Sequence, residues 1–214
     1  MWVRDLRSAA MSNEPTEHRS RPQLIALIGG TLAFLVLWAT PAGAHTGLGT
    51  HGLSDGLRHP FFGLDHLLAM VAVGVLASTA RDRRIALATP VAFVTGMVGG
   101  GVLGIGGVKI PGIELAIALS VITLGVLIGS VHRHAGSWLP MLAVAFGVAH
   151  GHAHGAELPA HAIPVAYVLG FVGATVALHI AGTAVGLTMR NRPRVRTAAA
   201  TLVSCAGVAL LFSV

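Results

Sequence analysis

The stretch HPFFGLDHLLAM, residues 59–70, places two imidazoles and a carboxylate at the start of an apolar run long enough to cross a lipid bilayer. These ionisable side chains belong to His59, Asp65 and His66. An ionisable group at membrane depth costs roughly 2.5 to 3.5 kcal/mol on insertion scales, so it persists mainly where it lines a cavity, a pathway or a partner. The stretch therefore predicts a membrane-spanning helix with a functional site at its beginning.

The composition is that of a polytopic membrane protein. The 214 residues are 54% hydrophobic and only 10% charged, whereas soluble domains are about 25% charged. The net charge of +6 comes from arginines in short connections between apolar runs, which argues against a nucleic-acid partner and for the lipid bilayer. The single cysteine, Cys205, lies in an apolar run, so the sequence predicts no disulfide framework and no thiolate metal cluster.

Residues 1–44 have the pattern of a cleavable secretory signal peptide. Arginines precede an apolar core, and Ala42-Gly43-Ala44 forms a small-residue cleavage site. An uncleaved first transmembrane helix is the alternative, and Met1 and Met11 both fit as the start. Cleavage after Ala44 would leave residues 45–58 as a periplasmic tether that contains histidine.

Six apolar runs follow, each near the roughly 20 residues that a helix needs to span the hydrocarbon core. We therefore predict an all-α membrane protein in which the signal peptide precedes a six-helix transmembrane bundle. Its predicted spans cover residues 59–80, 85–107, 112–131, 137–157, 161–189 and 196–214. Small-residue spacing in the second run, at Gly96, Gly99, Gly100, Gly101 and Gly104, and in the fifth run, at Gly182 and Gly186, lets helix backbones approach closely.

The arginines predict the orientation of the bundle. Eight of them lie in the connections near residues 81–84, 132–134 and 190–196, and the alternate connections hold only Arg58 and Lys109. Arginine-rich connections stay in the cytoplasm. A multi-pass protein of the bacterial inner membrane is therefore predicted, with its mature N-terminus and its C-terminus both in the periplasm.

The first predicted span offers two histidines that a regular helix would keep apart. Seven residues separate His59 from His66, so the two share one stripe but lie roughly 10 Å apart along the axis. Either Pro60 and Gly63 distort this turn, or the two imidazoles serve successive positions on a path. Asp65 is either a ligand or the acceptor that fixes an imidazole tautomer.

The fourth predicted span ends in a second group, HGHAHGAE at residues 150–157. His150, His154 and Glu157 follow one another at helical spacing and share one face, while His152 points away and is a weaker candidate for a metal ligand. Two imidazoles one turn apart, with a carboxylate one turn further, are typical of a site for a divalent transition metal. A histidine-rich loop that binds metal only adventitiously is the alternative.

Four further residues are weaker candidates for metal ligands. Glu114 begins the third span, where it either faces His66 and His154 or provides a favourable charge at a helix N-terminus. His179 lies late in the fifth span as an exit ligand, a proton acceptor or a packing residue. The other two candidates are His45, beside the predicted new N-terminus, and His161, in an outer connection.

The two histidine motifs together resemble those of the HupE/UreJ family of nickel and cobalt permeases. That family is marked by a histidine, five residues and Asp-His, matched here by His59, Asp65 and His66. Its second mark, Phe-His-Gly-x-Ala-His-Gly-x-Glu, is matched by residues 150–157, with Ala149 in place of phenylalanine. The likeness covers the whole chain.

The resemblance implies a secondary transporter, not an enzyme, that imports Ni²⁺ or Co²⁺ to supply metalloenzymes such as hydrogenase or urease. The metal is then the transported substrate, and no cofactor is bound permanently. Imidazole and carboxylate ligands suit zinc as well, so the residues alone do not choose the metal. Two alternatives are an intramembrane zinc-dependent hydrolase, in which the metal would activate water, and a non-transporting metal sensor or chaperone.

Overall fold

The structure, a computed structural model, describes residues 52–130, 136–158 and 162–212. All the described residues belong to one unit of the chain, residues 44–214. The predicted signal peptide and the histidines His45 and His161 lie outside the described residues.

Within these ranges every regular element is a helix. Seven α-helices and one short 3-10 helix are present: α1 (Leu53–Arg58), the 3-10 helix (His59–Phe61), α2 (Leu64–Thr79), α3 (Arg83–Ile105), α4 (Ile113–Ser130), α5 (Leu139–Ala156), α6 (Pro164–Met189) and α7 (Pro193–Leu210). Helices α2 to α7 overlap the six predicted runs in order. The all-helical architecture is therefore as predicted for the described part of the chain.

Among the described residues, fewer helices are both long and apolar enough to span a membrane than are long. By length and composition α3, α4 and α6 can each cross a membrane, and Leu53–Phe61 with α2 makes a fourth span if this bent pair is counted as one. Helices α5 and α7 do not meet these criteria; three histidines lie near the end of α5, and Arg194 and Arg196 lie in the first turn of α7. Six spans therefore stay a prediction.

The chain breaks between the 3-10 helix and α2. Pro60 lies in the 3-10 helix, and Gly63 is the N-cap of α2 with extended backbone angles, φ −94° and ψ 112°. The helices on either side of this break are bent by 83°. Proline lacks the N–H that would continue a helix, and glycine leaves helical geometry easily, which explains the position of the break. The histidines on either side are therefore not held on one straight helix.

Helices α3 and α5 run parallel with their backbones in contact. A Cβ atom at Gly96 would collide with the carbonyl oxygen of Val144, and one at Gly104 with that of His152. The same contact includes Gly100, Gly147, Gly151 and Gly155. Small residues permit this approach, as the glycine spacing predicted.

Two further helix pairs complete the bundle. Helices α2 and α6 also run parallel, since Gly182 packs against the backbone of Val71 and Gly186 against Ser78. Helices α4 and α7 run antiparallel and meet at Gly125 and Gly207. These directions are those expected of a chain in which each helix reverses the direction of the one before it.

This arrangement separates the two groups of charged residues along the bundle. Helices α2 and α6 are parallel, so their C-termini lie at the same end of the bundle. The arginine-containing connections at 81–84 and 190–192 follow these C-termini and therefore lie at that end. We call it the arginine end. The start of α2 and the last turns of α5 lie at the opposite end, where the rings of His66 and His154 meet with centroids 4.0 Å apart.

Candidate metal site

His154 is the centre of a cluster of aromatic rings. Its ring centroid lies 4.0 Å from that of His66, 4.5 Å from that of His59 and 3.9 Å from that of Phe171. The side chain is buried, and neither ring nitrogen has a hydrogen-bond partner. A buried polar group without a partner costs about 1–3 kcal/mol. A bound metal ion would satisfy such a nitrogen.

Three donors form the outer group of this cluster. His59, His154 and Glu157 each offer a ligand atom, and these atoms lie within 4.8 Å of one another. Ligand atoms around a transition metal with bonds near 2.1 Å lie about 3–4 Å apart, so small side-chain rotations would complete the site. The side chain of Glu157 is 60% exposed, whereas His154 is buried. The outer group is therefore open on the side of Glu157.

Asp65 accepts hydrogen bonds from its neighbour. Its Oδ1 lies 2.7 Å from His66 Nδ1 and 2.8 Å from the backbone N of the same residue. A carboxylate only accepts, so His66 carries its proton on Nδ1 and keeps a lone pair on Nε2. That Nε2 is buried and has no partner. Of the two interpretations of Asp65, this geometry favours the acceptor that orients a ligand.

His150 continues the line of imidazoles into the protein. Its ring centroid lies 4.7 Å from that of His66, and the residue is fully buried. Its Nε2 lies 2.9 Å from Ser120 Oγ, whose hydroxyl donates to the carbonyl of Ile117. Ser120 therefore accepts from Nε2–H, which leaves the lone pair of His150 on Nδ1, an atom without a partner.

His152 and His179, the other candidate histidines among the described residues, lie away from this cluster. His152 points away, as its spacing predicted, and its Nε2 donates to the carbonyl of Val108 over 2.6 Å. His179 donates from Nδ1 to the carbonyl of Met70 over 2.8 Å, and its Nε2 has no partner.

Glu114 does not join the outer group. It is exposed in the first turn of α4, where its charge is favourable, and its role as a ligand stays a prediction. The break at Gly63 allows both His59 and His66 to reach His154, as the first of the two alternatives for this turn requires.

Several residues around the imidazoles were not singled out from the sequence. Phe171 packs on His154, and Tyr167 packs on His59 with its buried hydroxyl unpartnered. Phe93 and Ser120 contact His150. Tyr167 and Phe171 are one turn apart on α6, a spacing that could have indicated a shared face. Nothing in the sequence alone would have assigned that face to the histidines.

These features define the class of the molecule: a helical membrane protein with a line of buried imidazoles leading from an exposed carboxylate. The sequence model of the HupE / UreJ protein family matches residues 32–210, so the chain belongs to the HupE/UreJ family. It is 48% identical over 155 residues to Protein HupE of Rhizobium leguminosarum bv. viciae, an alignment that covers 71% of this chain and 78% of that protein. No solved structure matches the chain.

Proposed function

We propose that the protein is a secondary transporter that imports Ni²⁺ or Co²⁺ across the bacterial inner membrane and so supplies metalloenzymes. Membership of the HupE/UreJ family supports a role related to nickel or cobalt transport. The observation that carries the proposal is the burial of His154 with both ring nitrogens unpartnered, between two other imidazoles. Such a residue is costly in a protein that binds nothing there.

The cluster offers two successive levels of donors. Glu157, His59 and His154 form the outer level, where a hydrated ion arrives from the surface. The lone pairs of His66 Nε2 and His150 Nδ1 form the inner level. Because the ring of His154 contacts that of His66, an ion can exchange its ligands one at a time between the levels.

The charge distribution supports inward movement. The cluster lies at the end of the bundle opposite the arginine end, and arginine-rich connections stay in the cytoplasm. An ion that enters at Glu157 would therefore come from the periplasm. The membrane potential favours this direction for a dication, by about 2.3 kcal/mol per charge per 100 mV.

Uptake of radioactive nickel tests the proposal in cells that have this gene as their sole nickel route. We expect His66→Ala and His154→Ala to reduce uptake to background with normal amounts of protein in the membrane. His152→Ala is the matched control, because this histidine lies on the same helix as His154 and is turned towards Val108. Normal uptake in both cluster variants would exclude the roles assigned to these residues.

Purified protein in liposomes separates the proposed transporter from the alternatives. A transporter moves nickel down a gradient, whereas a sensor or chaperone binds the ion without flux. A zinc-dependent hydrolase would retain stoichiometric zinc through purification. Competition among nickel, cobalt, zinc and copper in the same liposomes identifies the preferred ion, because imidazole and carboxylate ligands alone do not.

A further inference from the structure

Helices α2, α3 and α4 are repeated in α5, α6 and α7. Gly74 of α2 packs against the carbonyl of His179 in α6, and Gly147 of α5 packs in the same way against the carbonyl of Phe93 in α3. The partner helices show the same correspondence. Gly182 of α6 packs against the carbonyl of Val71 in α2, and Gly96 of α3 packs in the same way against the carbonyl of Val144 in α5. The contact between α2 and α6 is thus equivalent to that between α5 and α3.

The amino-acid sequence carries the same repeat. The segment VAVGV at residues 71–75 matches VAFGV at 144–148, and the pair Gly125-Val126 in α4 matches Gly207-Val208 in α7. Gly125 of α4 packs against Ser204 of α7 and Gly207 of α7 against Ile122 of α4, and this reciprocal contact makes the two helices equivalent, although they run antiparallel. The two three-helix repeats are consequently inverted with respect to each other, an arrangement in which transporters place their ion sites at the repeat interface near the bilayer midplane.

Phe93 and His179 occupy equivalent positions in the two repeats, and their side chains touch. Their ring centroids are 5.2 Å apart in an edge-to-face arrangement, and both side chains are buried. Two equivalent residues can meet only beside the axis that relates the repeats. This contact therefore marks the centre of the bundle.

The same contact lies where the line of imidazoles stops. The ring of Phe93 is 5.7 Å from that of His150, the last imidazole of the cluster. Around it, Thr175 Oγ1 lies 3.4 Å from Met70 Sδ and 3.5 Å from Met97 Sδ. These side chains are at most 2% exposed, so the layer is closed, in contrast to the open side at Glu157.

Beyond this layer, His179 offers a ring nitrogen whose lone pair can bind a metal ion. Its Nδ1–H is donated to Met70, so the lone pair lies on Nε2, which is buried and unpartnered. Phe93 contacts both this ring and that of His150 but supplies no ligand of its own. An ion that passes from His150 to His179 would therefore meet the ring of Phe93.

We propose that Phe93 and His179 form the gate of the metal path, at the axis between the two inverted repeats. Phe93 closes the histidine cluster towards the arginine end, and His179 receives the ion when Phe93 moves aside. The proposal rests on the proposed function, because a gate has meaning only if the ion crosses the protein.

Nickel flux and nickel binding are measured on the same purified full-length variants. Flux is measured in liposomes loaded with a nickel-sensitive dye. We expect Phe93→Ala to raise downhill nickel flux at least about threefold, since gating motions commonly limit turnover. Phe93→Trp should lower the flux by a similar factor. Both variants should keep nickel affinity within about twofold of the wild type, because no donor is removed. His179→Ala should lower flux and likewise leave the affinity of the outer cluster unchanged.

Leu124→Ala is the matched control for loosening of the core, since Leu124 is buried in the same core on α4. A change of flux in Phe93→Ala no larger than in Leu124→Ala overturns the gate and leaves the proposed function standing. If Phe93→Ala does not fold, Phe93→Trp provides the test. Nickel flux in Phe93→Trp equal to that of the wild type then overturns the gate. Absence of flux in the wild-type protein overturns the proposed function and the gate together.

Discussion

Replacing Asp65 by asparagine removes one negative charge from the candidate metal site while keeping the shape of the side chain. Oδ1 of Asp65 accepts from His66 Nδ1 at 2.7 Å and from the backbone N of His66 at 2.8 Å. An asparagine carbonyl can accept both hydrogen bonds, so the tautomer of His66 is retained. The variant Asp65→Asn therefore isolates the effect of the carboxylate charge on the basicity of His66 Nε2.

The magnitude follows from the one hydrogen bond that reaches the imidazole, between His66 Nδ1 and Asp65 Oδ1, because only this bond is coupled to metal binding at Nε2. A hydrogen bond to a charged group contributes about 1.5–3 kcal/mol, and a neutral one about 0.5–1.5 kcal/mol. The difference, about 1–1.5 kcal/mol, corresponds to a roughly tenfold loss of nickel affinity. Replacing the hydrogen-bond partner of a metal-bound histidine typically lowers metal affinity about 10- to 100-fold. Asp65→Ala removes the acceptor altogether, so its loss of nickel affinity should approach the upper end, about 100-fold.

Calorimetric titration of purified protein with nickel measures both variants, with Asp82→Asn as the control. Asp82 accepts from the backbone N of Arg84 as the N-cap of α3, a role that asparagine performs equally well, and it lies at the arginine end. The same substitution is then made in the His66→Ala background. If Asp65 acts only through His66, the second substitution has no further effect there. A tenfold loss that persists without the imidazole would refute this reasoning and make Asp65 a direct ligand.

Three other predictions follow from the structure. His154→Leu should abolish nickel binding but leave the thermal unfolding temperature of the metal-free protein unchanged or higher, because it removes two unpartnered buried nitrogens; a large drop would contradict that account. Gly151→Ala should lower the free energy of unfolding by about 1–3 kcal/mol, because the added Cβ would collide with the carbonyl of Met97. In the same unfolding assay Gly99→Ala should raise it by about 0.5–1 kcal/mol, because the added Cβ would lie in open space. His152→Ala should keep nickel affinity within about twofold of the wild type, because its ring is turned away from the cluster, and a tenfold loss in titration would place it in the site.

Much of the helical layout could be predicted from the sequence because lipid leaves the backbone little choice. A segment in hydrocarbon must satisfy its own N–H and C=O groups, so an apolar run of the right length forms a helix whatever its neighbours are. The runs at 85–107 and 112–131 correspond closely to α3 and α4. The repeat of VAVGV at 71–75 as VAFGV at 144–148 was also readable, but it acquires meaning only once the equivalent contacts are seen.

The local residue pattern determined which side chains are candidate ligands, and their helical spacing correctly turned His152 away from His150 and His154. Only the tertiary structure decided that His59 and His66 both reach His154, because the 83° break between their helices cannot be read from spacing on a regular helix. The tertiary structure also decided which ring nitrogens keep a lone pair, since that depends on hydrogen-bond partners such as Ser120 on another helix. Helix formation is a local property of the chain, whereas the meeting of side chains depends on how closely the glycine-lined backbones pack.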